Sequence, residues 1–192
     1  MSLNADEIVV ASFGQIYTAA VGATLPAANT NPRAGLAGQF GYASGYVTED
    51  GVTFSVSPDI TDIPAWQSED PVRRLRTGVE STLSFELMQW NEKNVVLAFG
   101  GGEGTTGGGY YTYTPPTAED GLSELSLVLD WNDGDKNYRI VVPRGTVTEG
   151  TETQLQRGAS ANLSIGFKAL APTSGGAAWY LLTDDDAFAV GS

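Results

Sequence analysis

Cysteine and histidine are both absent from the 192 residues of this chain. Their absence removes the thiolate and imidazole nucleophiles, the usual general base near neutral pH, and the ligands of the common zinc, haem and iron–sulfur sites. Without cysteine there is no disulfide framework, so stability must come from packing or from assembly. Carboxylates, lysine, arginine, tyrosine and hydroxyl groups remain for chemistry, and we expect no catalytic residue, no metal site and no cofactor.

Basic residues are scarce as well. The chain has 10 lysines and arginines against 23 aspartates and glutamates, which gives a net charge of −13. This balance argues against tight binding to nucleic acid or to an anionic membrane, because both need basic patches. The longest apolar runs, such as residues 95–99, are too short to cross a bilayer. We expect a soluble protein with no membrane partner.

Two stretches alternate between apolar and polar residues with the period of a β-strand. The apolar positions are Val52, Phe54 and Val56 in the first stretch and Val79, Leu83, Phe85 and Leu87 in the second. The polar positions between them are Thr53, Ser55, Ser57, Glu80, Thr82, Ser84 and Glu86. Each stretch therefore predicts a strand with one dry face and one solvent-exposed face. The proline-containing polar segment 59–71 between them predicts a long loop.

The rest of the chain predicts one helix and several more strands. Asn91 is a good N-cap, Glu92 suits the positive end of a helix, and Gly100 is a typical residue after its end. Strands are predicted near 15–21 and at 110–114, 122–131, 138–147, 159–170 and 178–182. The Asp-Gly pair 133–134 predicts a hairpin turn. About eight strands without alternating helices predict a mainly β fold, a β-sandwich or partly closed barrel with one short flanking helix.

Three short motifs resemble ligand-binding sequences, and each lacks part of the pattern or the context that such a site requires. Residues 102–107 spell G-x-G-x-x-G, but the predicted helix precedes the motif, whereas a dinucleotide site needs it to follow. We therefore interpret 102–107 as a loop. The acidic run 130–135 lacks the glycine and glutamate positions of a calcium loop. Residues 184–186 could hold a hard cation weakly, although a solvated acidic end is the simpler interpretation.

Trp66 stands out because it lies in a polar segment, beside Ile63 and Pro64 and close to acids. Tryptophan is enriched among residues that dominate protein interfaces. Trp66 therefore either anchors a contact with another protein or is buried by a loop that folds back. The sequence leaves both open.

The order of several motifs resembles the major tail tube proteins of bacteriophages with long non-contractile tails. The motifs are Gly45-Tyr-Val-Thr-Glu-Asp-Gly-Val-Thr-Phe54, Pro71-Val-Arg-Arg74, Asn91-Glu-Lys-Asn94, Leu127-Val-Leu-Asp-Trp131, Tyr138-Arg-Ile-Val-Val-Pro-Arg-Gly-Thr-Val-Thr-Glu149, Leu163-Ser-Ile-Gly-Phe-Lys-Ala-Leu170 and Leu181-Leu-Thr-Asp-Asp-Asp186. Their order carries the resemblance, since each motif alone is weak. It implies an N-terminal arm at 1–45, a tail-tube β domain at 46–186 and a C-terminal tail at 187–192.

The resemblance implies a structural subunit of the virion tail, assembled in the host cytoplasm. Six copies would form a ring, and stacked rings would form a tube whose acidic lumen conducts DNA during ejection. Other partners would be the tape measure, tail-tip and tail terminator proteins, and the resemblance implies no cofactor and no enzymatic activity. The segment 59–76 would reach the next ring, with contacts from Ile60, Ile63, Trp66, Arg73, Arg74 and Arg76. The lumen would be lined by Thr53, Ser55, Ser57, Glu80, Thr82, Ser84 and Glu86.

Two other classes of protein are compatible with a β-sandwich of this composition. One is a virion decoration or carbohydrate-binding module. The other is a glycan hydrolase, which needs two carboxylates close in space, and the sequence selects no such pair among its acids.

Overall fold

The computed structural model describes residues 4–26, 40–148 and 151–188. Within these residues the chain is mainly β, which confirms the predicted fold class. The elements in chain order are β1 Phe13–Ala20, β2 Tyr42–Ala43, β3 Val47–Ala65, β4 Ser68–Leu87, α1 Glu92–Ala98, β5 Glu103–Gly107, β6 Tyr110–Thr114, β7 Glu124–Asp133, β8 Lys136–Val147, β9 Leu163–Ala169 and β10 Tyr180–Thr183. Short 3-10 turns at Ala5–Glu7 and Asp186–Phe188 lie near the two ends.

One antiparallel sheet contains eight of these strands. Its order is β2-β1-β7-β8-β9-β4-β3, and β10 pairs with the first half of β8 while β9 pairs with the second half. Strand β8 therefore connects the β2-β1-β7 side of the sheet with the β9-β4-β3 side. The sheet does not close into a barrel, because β1 and β3 approach each other without pairing. Strands β5 and β6 form a separate hairpin.

The main core lies on the dry face predicted from the alternating sequence. Every second residue of the central strands points into it, and α1 covers one side with Leu97 and Ala98. Its buried members on the strands are Ile16, Leu83, Phe85, Leu87, Leu127, Leu129, Ile140, Val142, Val147, Leu163, Ile165 and Phe167. A second, smaller cluster on the opposite face joins Phe40, Val128, Val141 and Leu182.

The helix forms where its end signals predict it. The side chain of Asn91 accepts a hydrogen bond of 3.0 Å from the backbone N–H of Asn94, which satisfies one of the free donors of the first turn. Gly100 follows the last turn with a φ of 72°, a left-handed conformation that favours glycine. The amide of Asn94 then donates to the carbonyls of Ser44 and Gln89, so the helix start is tied to the strands around it.

The predicted strand near 15–21 is confirmed as β1, which pairs along its whole length with β7. Residues 29–32 and 35–41, whose asparagine, proline and glycine content predicts turns, lie largely outside the described residues. The loop predicted at 102–107 is wrong, because 103–107 pairs with β6. A two-glycine turn makes this hairpin, and both Gly108 and Gly109 have positive φ. Glycine-rich composition indicated a loop, whereas Gly108 and Gly109 supply the turn and Gly104 leaves room for the side chain of Tyr111.

Candidate assembly surfaces

Strands β3 and β4 form one continuous hairpin of 19 and 20 residues. Its distal half, residues 59–77, contains the segment 59–71 that was predicted to be a loop, and that prediction is wrong. Backbone pairing continues to Ala65 and Ser68, which leaves only Trp66 and Gln67 in the turn. Prolines suggested a break, but they are tolerated here because the distal hairpin is a two-stranded ribbon with both outer edges free. We call residues 59–77 the arm.

The arm extends away from the core and exposes its apolar side chains. Trp66 at its tip is 100% exposed, and Ile60 and Val72 are 58% and 60% exposed. The structure therefore answers the question that the sequence left open, since Trp66 is not buried within its own subunit. Exposed apolar residues concentrated on a projecting element are typical of a protein interface.

The six residues predicted to make the contact between rings do not share one face. Facing residues in an antiparallel pair point the same way, and neighbours along a strand alternate. Ile60 lies opposite Arg76 and Ile63 lies opposite Arg73. One face of the arm therefore carries Ile60, Arg74 and Arg76, the other carries Ile63 and Arg73, and Trp66 caps the end.

The three arginines of the arm differ in their pairing. Arg74 Nε lies 2.9 Å from Asp62 Oδ1, directly across the ribbon. Arg73 and Arg76 make no ion pair within the described part of the chain, and both are exposed. In a chain with a net charge of −13, two cations without an ion pair in the described residues, on the same arm as an exposed tryptophan, are suited to an acidic partner surface.

A polar surface, which we call the hydroxyl face, covers the proximal halves of β3 and β4. The residues predicted to line the lumen all lie on it, and they face one another in pairs: Thr53 with Ser84, Ser55 with Thr82, and Ser57 with Glu80. Glu86 lies farther along β4, opposite Ser164 of β9. These seven residues are exposed or half-exposed, as the alternation predicts.

Strand β9 extends the hydroxyl face and supplies partners for its two carboxylates. Lys168 Nζ lies 2.8 Å from Glu80 Oε2. The Asn162 amide donates a hydrogen bond of 3.1 Å to Glu86. Sequence reasoning did not include Lys168 or Asn162, although the dry positions 163, 165 and 167 imply that 164 and 168 point to the opposite face. The face therefore carries mostly hydroxyls and a small excess of negative charge.

Strand β3 ends the sheet. Among the described residues it pairs only with β4, so its other edge presents free backbone N–H and C=O groups. Free edges of long strands are templates for pairing with another chain, and monomeric proteins normally protect them. An open edge next to the hydroxyl face is the arrangement expected of a subunit whose sheet continues into a neighbour.

An apolar groove of about 870 Å³ separates β1 from β3. It is the open flank of the main core, where the first half of β1, which β2 does not cover, faces the first half of β3 without pairing. Its lining includes Phe13, Val52, Phe54 and Trp131, with Thr48 and Glu49 at a bulge in β3. The hydroxyl oxygen of Thr48 is buried and has no hydrogen-bond partner among the described residues. Sequence reasoning missed this groove.

The acidic motifs serve internal contacts. Asp130 pairs with Arg139 through bonds of 2.6 and 3.0 Å. Asp184 accepts hydrogen bonds from the backbone and the side chain of Asn137. Asp185 is buried and accepts from Tyr138. The interpretation of 184–186 as a solvated acidic end is therefore wrong for Asp185, whereas Asp184 and Asp186 are exposed.

No site for chemistry appears in the part of the chain that the structure describes. Within residues 4–26, 40–148 and 151–188 no group of three or more acidic residues is placed to hold a metal ion. The G-x-G-x-x-G run lies in the β5–β6 hairpin, so no helix start faces it as a dinucleotide site requires. No helix in these ranges is long and apolar enough to span a membrane.

Comparison with known proteins gives one match that covers nearly the whole chain. A family model described as phage tail tube protein matches residues 1–191. No curated protein matches the chain.

Proposed function

The chain belongs to the phage tail tube protein family, so it is a structural component of a virion tail and not an enzyme, and we propose that six copies form a ring and that rings stack into the tube. Membership in this family of structural proteins excludes the glycan hydrolase alternative. The family match also does not favour the decoration or carbohydrate-binding alternative.

The observation that carries the ring proposal is the position of the open edge of β3 beside the hydroxyl face. If β3 pairs with a neighbouring subunit, the sheet continues from copy to copy and the free edge is satisfied. A closed ring leaves no edge exposed, whereas an open chain of subunits would leave one at each end. The hydroxyl face then lies on one side of the closed sheet, which makes it the wall of the lumen.

The chemistry of the hydroxyl face suits a channel for DNA. Serine and threonine hydroxyls form weak, exchangeable contacts with phosphate, and the lone cation of the face, among the residues described, is paired with Glu80. Cationic contacts would hold the DNA, since each neutralised phosphate adds to binding. A lumen with a small excess of negative charge in every ring forms no strong contacts with phosphate, so the genome passes without having to break them.

The arm is proposed to join one ring to the next. It projects beyond the core, exposes Trp66 and carries two arginines that form no ion pair with any residue the structure describes, and these features supply both an apolar anchor and charge specificity. A contact between two different surfaces of identical subunits does not close on itself, so it builds a filament of rings. The division into an N-terminal arm, a β domain and a C-terminal tail at residues 45 and 186 remains part of this proposal.

The proposed partners follow from the same role. The tube would contact the tape measure protein inside the lumen, the tail tip at one end and the tail terminator at the other, after assembly in the host cytoplasm. Electron microscopy of the purified protein, with and without tail-tip complexes, tests the proposal. We expect rings with six-fold symmetry that stack into tubes. A protein that stays monomeric and that tail-tip complexes do not polymerise would contradict it.

A further inference from the structure

We propose that two features of β3, the bulge at residues 48–51 and Pro58, act as stops that confine a neighbouring subunit to pairing with residues 52–58. The inference rests on the proposed ring, in which the free edge of β3 joins the next copy, and adds the device that sets the register of that joint. A long free edge without such stops can pair in more than one register. With them, every joint of the ring forms alike.

The bulge interrupts the ladder between β3 and β4. It lies between two paired positions, Val47 with Leu87 and Val52 with Phe85. Four residues of β3 therefore oppose one residue of β4. Gly51, the last of the four, has a φ of 70°, a left-handed conformation that favours glycine. The extra residues of a bulge leave the ladder and bend the strand, so a neighbour that pairs with β3 has to stop at Val52.

Beyond the bulge the edge is regular, and its free hydrogen-bonding groups can be assigned. From Val52 to Asp59 the two strands pair without a shift. Side chains and backbone groups alternate together, so the residues of one face direct N–H and C=O to the same edge. Pro58 is in phase with Val52, and a proline within a paired strand is tolerated where its missing N–H would point to the free edge. Val52, Phe54 and Val56 therefore direct their N–H groups to the neighbour.

Pro58 ends this row of donors. The next outward donor would follow two residues later, but the register shifts between Asp59 and Ile60. The edge thus offers three consecutive donors, with a bulge at one end and a proline at the other. A slip of two residues is the smallest that keeps each side chain on its own face. Such a slip would place part of the neighbouring strand beside the bulge or Pro58, where it finds no regular partner.

The charge of the bulge supports its role as a stop. Glu49 and Asp50 are both exposed. Bulges and charged side chains are two of the devices by which β proteins prevent unwanted pairing of their edges. A strand that only needed protection would be blocked along its length, whereas residues 52–58 stay regular between two blocks. This pattern permits pairing and limits where it occurs.

A fixed register matters because the proposed ring is a closed sheet. The diameter of a closed sheet depends on the number of strands and on their stagger. A slip of two residues at a joint changes the stagger, and rings of different diameter do not stack evenly. The two stops therefore supply what a tube of constant bore requires.

Two variants remove one stop each. Deletion of residues 49–51 leaves Thr48 opposite Glu86 and lets Val47 and Val52 alternate regularly, and Pro58→Ala restores an outward N–H without changing the chain length. We expect folded monomers that, with tail-tip complexes, assemble into rings of mixed diameter or unclosed aggregates, as seen by electron microscopy. The matched control, Glu49→Gln with Asp50→Asn, keeps the bulge and should give uniform tubes.

Each outcome of this test bears on the proposal. Uniform tubes of normal diameter, or no assembly at all, from either folded variant would overturn the stop that it removes. Mixed diameters from the control as well would assign the effect to charge and overturn the role of the bulge. If the deletion variant does not fold, Pro58→Ala still decides, because it changes one exposed side chain.

Hydrogen exchange locates the pairing directly. In the monomer the amides of Ser55 and Ser57, which face β4, should be protected, and those of Phe54 and Val56 should exchange freely. In tubes that are labelled and then dissociated, Phe54 and Val56 should lose their exchange, while residues 49–50 should not. Protection of residues 49–50 in tubes would overturn the proposal, because pairing would then pass through the bulge.

The same measurement separates this inference from the function on which it rests. If Phe54 and Val56 are protected in tubes together with residues 49–50, the ring joint stands and only the stops are wrong. If tubes form and Phe54 and Val56 still exchange freely, β3 is not the edge that joins subunits. The joint and the stops are then both wrong, and the structural role in the tail remains.

Discussion

The phenol of Tyr138 donates a hydrogen bond of 2.6 Å to a carboxylate oxygen of Asp185. Lys136 lies 3.1 Å from the other oxygen, which also accepts from the backbone N–H of Ala187. These contacts bind the end of β10 to the start of β8. They hold in place the last strand of the sheet, which is joined to the rest by only four backbone pairs.

This contact predicts how stability depends on pH. The hydrogen bond from Tyr138, then those from Ala187 and Lys136, hold the pKa of Asp185 below its ordinary value of 3.8. A lowered pKa stabilises the fold at higher pH, and the contribution is lost as pH falls below 3.8 through the folded-state value. The bond to Asp185 and burial raise the pKa of Tyr138 to about 12. That contribution is present below pH 10 and is lost as pH rises towards 12.

We expect Tyr138→Phe to weaken both effects. The variant has no phenol to ionise, and its Asp185 loses the largest cause of its lowered pKa. Melting temperatures measured from pH 2 to 12 should therefore fall less steeply at both ends than in the unmodified protein. Tyr110→Phe is the control, because that ring is exposed and makes no hydrogen bond in the described residues. Parallel pH profiles for Tyr138→Phe and the unmodified protein would contradict the assignment.

The second prediction concerns the ion pair between Arg139 and Asp130. Arg139 has no exposed side-chain surface and binds Asp130 on the facing strand. Burial raises the pKa of Asp130, and the bonds from Arg139 oppose that rise. Arg139→Met removes the cation and leaves the carboxylate buried alone. We expect the free energy of unfolding in urea to fall by about 3–5 kcal/mol.

The double variant Arg139→Met, Asp130→Leu shows whether the loss comes from the stranded charge. It should recover most of the stability, because an apolar pair of similar volume avoids the cost of burying charge. Arg144→Met at the exposed pair with Glu124 should change stability little. A double variant no more stable than the single one would show that Arg139 acts through other contacts.

The alternating sequence predicted more of this molecule than any motif did. Because side chains on a strand alternate, residues 52–55 and 82–87 identified the dry face and the hydroxyl face correctly. Val56 and Val79 were predicted on the dry face but are 42% and 47% exposed, because they lie beyond the part of β4 that pairs with β9. The helix was predictable for a similar reason, since Asn91 and Gly100 act within one turn of it. These features depend on local geometry, which neighbouring residues determine.

The features that the sequence did not predict depend on contacts between distant residues. The groove lies where β1 and β3 approach each other. The alternation of side chains within each strand carries no information about the distance between the two strands. Lys168 was overlooked because its partner Glu80 lies on another strand. The prolines of the arm were interpreted as breaks, whereas a ribbon with two free edges has room for them. Thr48 became notable only once its oxygen was seen to lack a partner.

The third prediction concerns the lumen. Glu80→Lys with Glu86→Lys reverses both carboxylates of the hydroxyl face, and the exposed pair of Glu80 with Lys168 contributes little to folding. We expect tubes to assemble and DNA ejection to slow, with a steep dependence on salt, because every ring gains cationic contacts with phosphate. Glu103→Lys with Glu119→Lys is the control of equal charge at exposed positions off this face. Normal ejection through tubes of the lumen variant would contradict the assignment.

The last prediction concerns Trp66 as the anchor between rings. Trp66→Ala removes a side chain that contacts nothing in its own subunit, since it is fully exposed at the end of a paired ribbon. The melting temperature of the monomer should therefore stay near that of the unmodified protein. At an interface, loss of an aromatic anchor costs about 2 kcal/mol or more per contact.

A tube repeats that loss at every subunit of every ring, so Trp66→Ala should give few or no tubes from well-folded protein. Leu155→Ala is the control, because Leu155 is 76% exposed but lies away from the arm and the groove. Its tubes should form normally. Scanning calorimetry and electron microscopy on the same samples distinguish the outcomes. A Trp66→Ala protein with a much lower melting temperature would make Trp66 a folding residue. One that forms normal tubes would remove Trp66 as the anchor and would require the contact to come from the apolar faces of the arm, at Ile60 and Ile63.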